Sequence, residues 1–314
     1  MKKVIVFLST YNGAKYLRHT LDCIFAQTYP TFDFIVRDDG SKDDTVAILK
    51  EYRDKAPEGK KLIIYNEETG DWSNKGAHQS YHTIIENLPE ADCYLSLDQD
   101  DAWASTKVER VVDGISKYPK DVPVLSLHSY YLCDGELNIL ETIHNQRSYT
   151  PEEMKEIDLC KVIMKGTWAS VGMAQSWNHA LRQLTYHKGE FERSIALDCW
   201  VGWVVAGVGG AIEYCDEPLV YYRRHEGTYS SGNQDGLKRI ADWRRHMNRH
   251  CANIRNGIHF YRKLYRELVS EKNQRFLDLF DSKRRFAKAF YPHRMREKLF
   301  EDLAFRVLIL LGKF

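Results

Sequence analysis

The chain has 314 residues, of which 43% are hydrophobic and 28% are charged, and its formal net charge is +1. This composition excludes a disordered chain and suffices for one large α/β domain with an appendage, or for two modest domains. Seven cysteines, an odd number without a C-x-x-C pair, predict reduced thiols and argue against a zinc site or a disulfide framework.

Apolar runs alternate with helical periods through the first half, which is the pattern of a parallel sheet wrapped by helices. We predict strands at 4–8, 32–36, 62–65, 93–97, 122–132 and 211–222. We predict helices at 17–28, at 44–49 with Asp44 as the cap, at 76–88, at 107–117 and at 196–209. A basic helical region follows residue 237, and its apolar end at 303–311 either packs on the protein or lies in a membrane interface.

The charge is divided unevenly along the chain. Residues 237–314 carry 20 Lys and Arg against 8 Asp and Glu, a net charge of +12 that leaves −11 for residues 1–236. Such a tail suits an anionic surface, either a phospholipid headgroup layer or a nucleic acid. Charge alone cannot choose between these two surfaces, but the acidic body argues against a nucleic acid. We therefore expect no nucleic-acid partner, and peripheral contact of the C-terminal region with an anionic membrane stays open.

The predicted strand 93–97 ends at three carboxylates within four positions, Asp98, Asp100 and Asp101. In an open α/β sheet the ligand site lies beyond the carboxyl ends of the strands. Mg²⁺ or Mn²⁺ takes one or two protein carboxylates and completes its shell with waters and substrate phosphates. The stretch therefore predicts a metal-held diphosphate, although by itself it fits an acidic loop that caps the following helix equally well.

Two further loops, at 9–13 and 38–41, follow predicted parallel strands and belong to the same edge of the sheet. An aromatic ring and a hydroxyl after the first strand can stack on a base and hydrogen-bond it. A carboxylate after the second strand can accept an N–H from a pyrimidine. Each loop alone also fits a helix cap or a plain turn, but together they predict a nucleotide pocket.

Four segments, 6–13, 27–30, 36–45 and 98–103 followed by Lys107, together resemble the family-2 glycosyltransferases of the GT-A fold. The likeness covers roughly residues 1–232. It implies an α/β fold of the nucleotide-diphospho-sugar transferase type, with a mostly parallel central sheet flanked by helices. We therefore expect a GT-A domain over 1–232 and a basic, mainly helical C-terminal region over 233–314.

The resemblance also implies roles for individual residues. Those that match the family's base-binding positions are Thr10, Tyr11 and Asp39, while Asp98 and Asp100 match the D-x-D element that binds the ribose and the metal-bridged diphosphate. We also expect Asn12 and Gly76 at the nucleotide. A glycine lets the backbone approach the sugar nucleotide closely, although Gly76 also fits a loop glycine at a helix start. Asp100 would hold Mn²⁺ or Mg²⁺, and Asp98 with Arg223 or Arg224 would support the diphosphate. His225 would complete the metal shell or touch the diphosphate, with a structural role as the alternative. An imidazole ligand favours Mn²⁺. Walls of the sugar or acceptor pocket are expected at Asp101, Trp103, Trp168 and Trp200, although Trp168 fits core packing equally well.

Asp198 matches the aspartate of the family's His-Asp-Trp-Trp-like motif, although Leu197 and Cys199 depart from that motif. Sugar transfer with inversion needs a base that removes the proton of the acceptor hydroxyl. The resemblance gives this role to Asp198. A cap for a buried helix is the alternative.

The resemblance thus implies an inverting, non-processive, metal-dependent glycosyltransferase. Its D-Q-D-D-x-W form is most similar to the bacterial rhamnosyltransferase branch, which uses dTDP-L-rhamnose to build surface polysaccharides or lipid-linked oligosaccharides. The alternatives are a UDP-hexose donor (glucose, galactose, N-acetylglucosamine or galactofuranose), a sugar nucleotidyltransferase, or a non-catalytic protein that binds sugar nucleotides. The expected location is cytoplasmic, at the inner face of a bacterial plasma membrane.

Overall fold

The computed structural model describes residues 1–144, 147–165, 172–186, 195–225, 236–296 and 298–314, and for residues 165 and 236–250 it describes the backbone alone. The chain forms two compact units. The first comprises Met1–Tyr149, Ser170–Gly189 and Ala211–Thr228, and the second comprises Thr150–Ala169, Glu190–Gly210 and Tyr229–Phe314. Segments 150–169 and 190–210, which precede the predicted boundary at residue 232, thus group with the C-terminal helices.

All the described strands lie in the first unit. They are β1 (Val4–Thr10), β2 (Phe32–Asp38), β3 (Lys60–Ile64), β4 (Cys93–Leu97), β5 (Ala102–Trp103), β6 (Val124–Cys133), β7 (Ile139–Ile143), β8 (Gln175–Asn178) and β9 (Ala211–Arg223). Within the described residues they form one sheet in the order β3-β2-β1-β4-β8-β6-β9-β5, with β7 on β6.

The described helices divide between the two units. Those of the first unit are α1 (Ala14–Phe25), α2 (Thr45–Asp54), α3 (Tyr65–Thr69), α4 (Ala77–Asn87), α5 (Lys107–Ser116) and α8 (His179–Thr185). Those of the second unit are α6 (Pro151–Lys155), α7 (Leu159–Lys165), α9 (Leu197–Val208), α10 (Gly236–Tyr265), α11 (Glu271–Asp281), α12 (Arg285–Ala289) and α13 (Leu299–Leu310).

The parallel strands bring the predicted loops to one edge of the sheet. β1 pairs in parallel with β2 and β4, so that Thr10 stands opposite Asp38 and Leu8 opposite Leu97. Each of these strands is mostly buried, as expected for a sheet covered on both faces by helices. The chain turns after β1, β2 and β4 therefore leave the sheet side by side, as the sequence predicts.

The sheet is less uniformly parallel than expected. β8 joins β4 and β6 antiparallel, β5 joins β9 antiparallel, and β7 joins β6 antiparallel. In β5, β7 and β8 the alternation of apolar and polar residues is too short to predict a strand. Asp44 is the N-cap residue of α2, as predicted, but its side chain makes no capping hydrogen bond. The neighbouring Asp43 carboxylate accepts the Thr45 N–H at 3.0 Å.

Helix α9 is buried on most sides, as predicted. Trp200 has no exposed surface, and its ring centre lies 6.1 Å from those of Tyr261 and Tyr265 in α10. An indole without exposed surface packs the interior of the second unit. This corrects the expectation that Trp200 lines a pocket.

The loop between β4 and β5 is anchored by buried polar groups. Lys107 is fully buried, its Nζ donates to the carbonyl oxygen of Met173 at 2.7 Å, and it lies 3.7 Å from the centre of the Trp103 ring. Asp101 is fully buried as well, and its Oδ1 accepts the backbone N–H of Arg223 at 2.9 Å. The loop is therefore fastened to α5 and to the end of β9.

Burial also sets the ionisation of this anchor. It raises the pKa of Asp101 well above the ordinary value, helped by the negative charges of Asp98 and Asp100. Burial likewise lowers the pKa of Lys107. In both residues the desolvated interior favours the neutral form.

No helix in the described part of the chain combines the length and the apolar character needed to cross a bilayer.

Asp101 should make the stability of the fold depend on pH. The pKa of Asp101 is raised in the folded state. Its contribution to the free energy of unfolding is therefore complete below the pKa of the unfolded chain, about 3.9, and is lost as pH rises towards the pKa of the folded protein. Asparagine does not ionise, so the free energy of unfolding of Asp101→Asn minus that of the wild type should increase from about pH 5 to about pH 8. Urea unfolding followed by circular dichroism measures this difference.

Asp54→Asn is the matched control, since the Asp54 side chain is exposed on the helix surface. Its difference from the wild type should stay flat over the same range. A flat difference for Asp101→Asn would contradict the expected ionisation.

Candidate functional site

The end of β1 is tied to the turn after β2. Thr10 is buried, its Oγ1 donates to Asp38 Oδ2 at 3.0 Å, and its carbonyl oxygen accepts the N–H of Asp39 at 2.7 Å. Asp38 Oδ1 also accepts the N–H groups of Gly40 and Ser41, at 3.0 and 2.8 Å. Gly40 has φ +81°, which suits glycine, and the predicted turn at 38–41 is confirmed.

Asp39 stands in a buried ion pair. Its side chain is almost covered, and Oδ1 accepts from Arg37 Nη1 at 2.6 Å. The carboxylate also accepts the backbone N–H groups of Lys75 and Gly76, both at 2.8 Å. The N–H of Gly76, a residue expected close to the nucleotide, thus donates to Asp39. The carboxylate accepts three hydrogen bonds out of roughly four that it can take.

The loop after β1 presents one aromatic ring to solvent. The side chain of Tyr11 is 49% exposed. Gln99 holds the backbone of Tyr11: its Oε1 accepts the Tyr11 N–H at 2.9 Å, and its Nε2 donates to the carbonyl oxygen of Tyr11 at 3.1 Å. Asn12 has φ +47°, and its Oδ1 accepts the N–H of Lys42 at 2.8 Å. Asn12 therefore shapes the loop, and the ring of Tyr11 is available for stacking.

The acidic loop brings two candidate ligands together. Asp100 Oδ2 lies 2.8 Å from His225 Nε2, and both side chains are partly exposed. Asp98 Oδ1 lies 2.9 Å from the hydroxyl of Tyr81. Burial, followed by the charge of Asp98, raises the pKa of that hydroxyl well above its ordinary value, which keeps it in the protonated form that can donate.

Arg223 and Tyr16 contact Asp100 and His225. Arg223 Nε donates to the carbonyl oxygen of Asp100 at 2.6 Å, and Nη1 donates to that of Gly135 at 2.6 Å. The guanidinium lies 4.5 Å from the centre of the Tyr16 ring, and the ring of His225 lies 4.8 Å from it. Arg223 is therefore a buried clamp on the loop, whereas Arg224 is exposed.

The donor set at Asp100 and His225 fits a divalent cation. Two ligands of one octahedral ion, each about 2.1 Å from it, lie about 3 Å apart, which is close to the observed separation of oxygen and nitrogen. Within the described residues, no group of three or more His, Cys, Asp or Glu side chains is placed to hold a metal. The pair would supply the one or two protein ligands that such a cation takes when substrate phosphates complete its shell.

The remaining predicted residues lie elsewhere. Asp101 and Trp103 are buried beneath the loop, which corrects their expected place in a pocket wall. Trp168 lies outside the described residues. Asp198 belongs to the second unit, in the first turn of α9, where its partly exposed side chain accepts the N–H of Cys199 at 2.8 Å.

Sequence reasoning missed Arg37, Gln99 and Tyr16. For Arg37 a signal existed, because a charge inside an apolar strand requires a buried partner and acidic residues follow it directly. The contacts of Gln99 and Tyr16 join segments far apart in the chain. No local pattern indicates them.

Known proteins resemble this chain in sequence and in fold. A family model described as glycosyl transferase family 2 matches residues 5–173, which is more than half of the chain. A glycosyltransferase of Rickettsia prowazekii (strain Madrid E) is 30% identical over 152 residues, which make up 48% of this chain and 43% of that protein. The glycosyltransferase GlyA of Streptococcus pneumoniae serotype 4 is 25% identical over 231 residues, 73% of this chain and 31% of that protein. The matched part therefore spans less than half the length of each of these relatives.

Solved structures show the fold. S. aureus TarS 1–349, crystallised with UDP-GlcNAc, superposes with a TM-score of 0.55 at 18% identity, over 99% of this chain and 81% of that one. GalNAc-T7, crystallised with UDP, GalNAc and Mn²⁺, gives a TM-score of 0.53 at 14% identity, over 99% of this chain and 55% of that one. The predicted GT-A fold is thereby confirmed. With the family model covering most of the first unit, the chain belongs to glycosyl transferase family 2.

Proposed function

We propose that this glycosyltransferase moves one sugar from a nucleoside diphosphate to a hydroxyl of a saccharide acceptor, with inversion at the sugar carbon. The observation that carries the proposal is the meeting, at one sheet edge, of a solvent-facing tyrosine, a carboxylate with unused acceptor capacity, and a paired aspartate and histidine. The tyrosine suits stacking on the nucleotide base, the carboxylate suits the ring N–H of that base, and the aspartate and histidine suit a metal-bound diphosphate.

The nucleotide would be held by the loops after β1 and β2. The exposed ring of Tyr11 offers a face for stacking on the base. Asp39 keeps one acceptor position free for a pyrimidine N–H, while Arg37 balances its charge inside the protein. Thr10 fixes the distance between the two loops. The remaining predicted nucleotide residues, Asn12 and Gly76, would act by shaping the loops.

The diphosphate would lie against the acidic loop. Asp100 and His225 would hold Mn²⁺ or Mg²⁺, which offsets the negative charge that builds up on the departing diphosphate. Asp98 would contact the ribose and the diphosphate. Arg223 and Arg224 add positive charge to the same end of β9. The Mn²⁺ in the GalNAc-T7 structure supports the choice of a divalent cation.

The transfer itself needs a base, and we assign it to Asp198. The acceptor oxygen forms a bond to the anomeric carbon, the bond from that carbon to the diphosphate oxygen breaks, and the hydroxyl proton passes to the Asp198 carboxylate. The nucleoside diphosphate leaves with the bonding electrons. Asp198 lies in the first turn of α9, and its side chain is partly exposed.

The donor we propose first is dTDP-L-rhamnose, with a surface polysaccharide or a lipid-linked oligosaccharide as acceptor. The support for this donor is the resemblance of the D-Q-D-D-x-W form of the acidic loop to the bacterial rhamnosyltransferase branch. UDP-hexoses are the alternative, and the UDP-GlcNAc bound by TarS supports a uridine donor. A cytoplasmic place of action at the inner face of a bacterial plasma membrane agrees with both.

A sugar nucleotide should stabilise the protein when Mn²⁺ is present. At a hundred times the Kd, binding to the native state adds about 2.7 kcal/mol to the free energy of unfolding. Thermal unfolding with dTDP-rhamnose, UDP-glucose, UDP-galactose and UDP-N-acetylglucosamine, each with Mn²⁺ and again with EDTA, measures the effect and ranks the donors.

Asp100→Asn should remove the part of the stabilisation that depends on Mn²⁺, whereas Asp113→Asn, an exposed carboxylate on α5, should retain it. Stabilisation that EDTA leaves unchanged would contradict the metal assignment. If none of the nucleotide sugars raises the melting temperature, the donor class is wrong.

Asp198→Asn should lower turnover by about 10²- to 10⁴-fold, because the acceptor proton loses its base, while donor binding stays nearly the same. Release of nucleoside diphosphate with p-nitrophenyl glycosides as acceptors gives the turnover, and thermal shift gives the donor affinity. Glu271→Gln, an exposed carboxylate on α11, is the control and should match the wild type. Wild-type turnover in Asp198→Asn would remove this residue from the mechanism.

A further inference from the structure

The outward face of the last helix is apolar and open to solvent. Leu299, Leu303, Val307 and Leu310 recur at i, i+4, i+8 and i+11 along α13, and all four are exposed. On the other side of the same helix, buried Phe305 and Ile309 pack into the second unit. The helix therefore already has a core-facing side. A second apolar side remains on the surface.

Neighbouring residues enlarge this surface. Phe300, which is 78% exposed, and Leu311 widen the stripe on α13, and α12 packs against α13 and brings Phe286 and Phe290, each 75% exposed. Among the described residues, 8 of the 14 large hydrophobic side chains that are exposed lie between 286 and 311. Single exposed hydrophobic residues need no explanation, but such a concentration marks an interaction surface. We call these eight residues the α12–α13 apolar face.

The charges around this face are positive. The exposed basic side chains of this region are Lys283, Arg284, Arg285, Arg294, Lys298 and Lys313. Among the described residues from 283 to 314, Glu301 is the one exposed acid. Asp302 is buried and accepts from Arg306 Nε at 2.7 Å, so it does not offset the surface charge.

An anionic lipid surface matches both properties. Helices that lie in a membrane interface insert an apolar face to the level of the acyl chains, while Lys and Arg bind the headgroup phosphates. α13 has 12 residues and is about 18 Å long, which is too short to span the hydrocarbon layer of about 30 Å. It can therefore lie in the interface but not cross it.

A second copy of the chain fits this face less well. A two-fold interface places the same patch of both subunits face to face. Six exposed cations on each side would then approach one another, with a single exposed acid among the described residues of each segment to compensate. The charge pattern thus favours an anionic partner over self-association.

We propose that the α12–α13 apolar face inserts into the headgroup region of an anionic phospholipid bilayer, held there by the surrounding lysines and arginines. This inference does not depend on the proposed glycosyl transfer. It specifies which residues of the basic C-terminal region touch the lipid.

Co-sedimentation of the full chain with vesicles tests the proposal. The protein should bind vesicles of phosphatidylcholine with about one third phosphatidylglycerol, bind vesicles of phosphatidylcholine alone more weakly, and lose binding as NaCl rises. Phe300→Ser/Leu303→Ser should lower the partition coefficient at least about tenfold, because two inserting side chains are lost. Arg284→Gln/Lys298→Gln should reduce binding to the vesicles that contain phosphatidylglycerol and leave binding to vesicles of phosphatidylcholine unchanged.

The control is Ile139→Ser/Leu140→Ser, which removes two exposed apolar side chains from β7 in the other unit. It should bind vesicles like the wild type. Circular dichroism checks that each variant is folded. If Phe300→Ser/Leu303→Ser does not fold, Arg284→Gln/Lys298→Gln still tests the proposal.

Equal binding by the wild type and Phe300→Ser/Leu303→Ser would overturn the proposal. So would an absence of binding to anionic vesicles, or binding that salt does not weaken. A dimer in light scattering that Phe300→Ser/Leu303→Ser dissolves, together with no vesicle binding, would instead assign the face to a second copy of the chain.

Discussion

The clamp of Arg223 on the acidic loop is the contact on which the site depends. Its backbone N–H binds Asp101 and its Nε binds the carbonyl oxygen of Asp100, so the end of β9 is fixed to a loop more than 120 residues earlier in the chain. His225 follows two positions later and reaches Asp100 for this reason. The pairing of β5 with β9 brings the two segments together, and the contacts of Arg223 fix the loop within that pairing.

The same loop is also fixed from the nucleotide side. Thr20 of α1 lies within hydrogen-bond distance of the carbonyl oxygens of Gln99 and Asp101, at 3.0 and 2.8 Å. Gln99 in turn holds the backbone of Tyr11. The surfaces proposed for the base and for the diphosphate are therefore parts of one rigid arrangement, which is how a site becomes preorganised for a substrate with two distinct ends.

Local patterns predict this fold well where the chain is regular. The strand at 93–97 is found with the predicted bounds, because a buried parallel strand is an unbroken apolar run that ends where polar residues begin. Likewise, the turn at 38–41 is formed by a glycine and by an aspartate that bonds its own backbone. Such features are complete within a few residues, so the sequence contains all the information that they need.

Long-range contacts explain what was missed. Nothing near position 200 indicates that Trp200 meets Tyr261 and Tyr265 rather than a ligand. β8 has four residues and exists because β4 and β6 lie on either side of it. The terminal segment 303–311 was expected either to pack on the protein or to meet a membrane; its helix has one buried side and one exposed apolar side, a division that only the packed structure defines.

The bridge from Gln99 to residue 11 has an evolutionary consequence. Both of its hydrogen bonds reach main-chain atoms, so the path of the loop does not depend on which side chain stands at that position. The tyrosine ring can be exchanged for another group while the neighbouring carboxylates keep their places. In the proposed site, relatives could thus vary the ring that faces the nucleotide at one position, while the acceptor at Asp39 and the acidic loop stay unchanged.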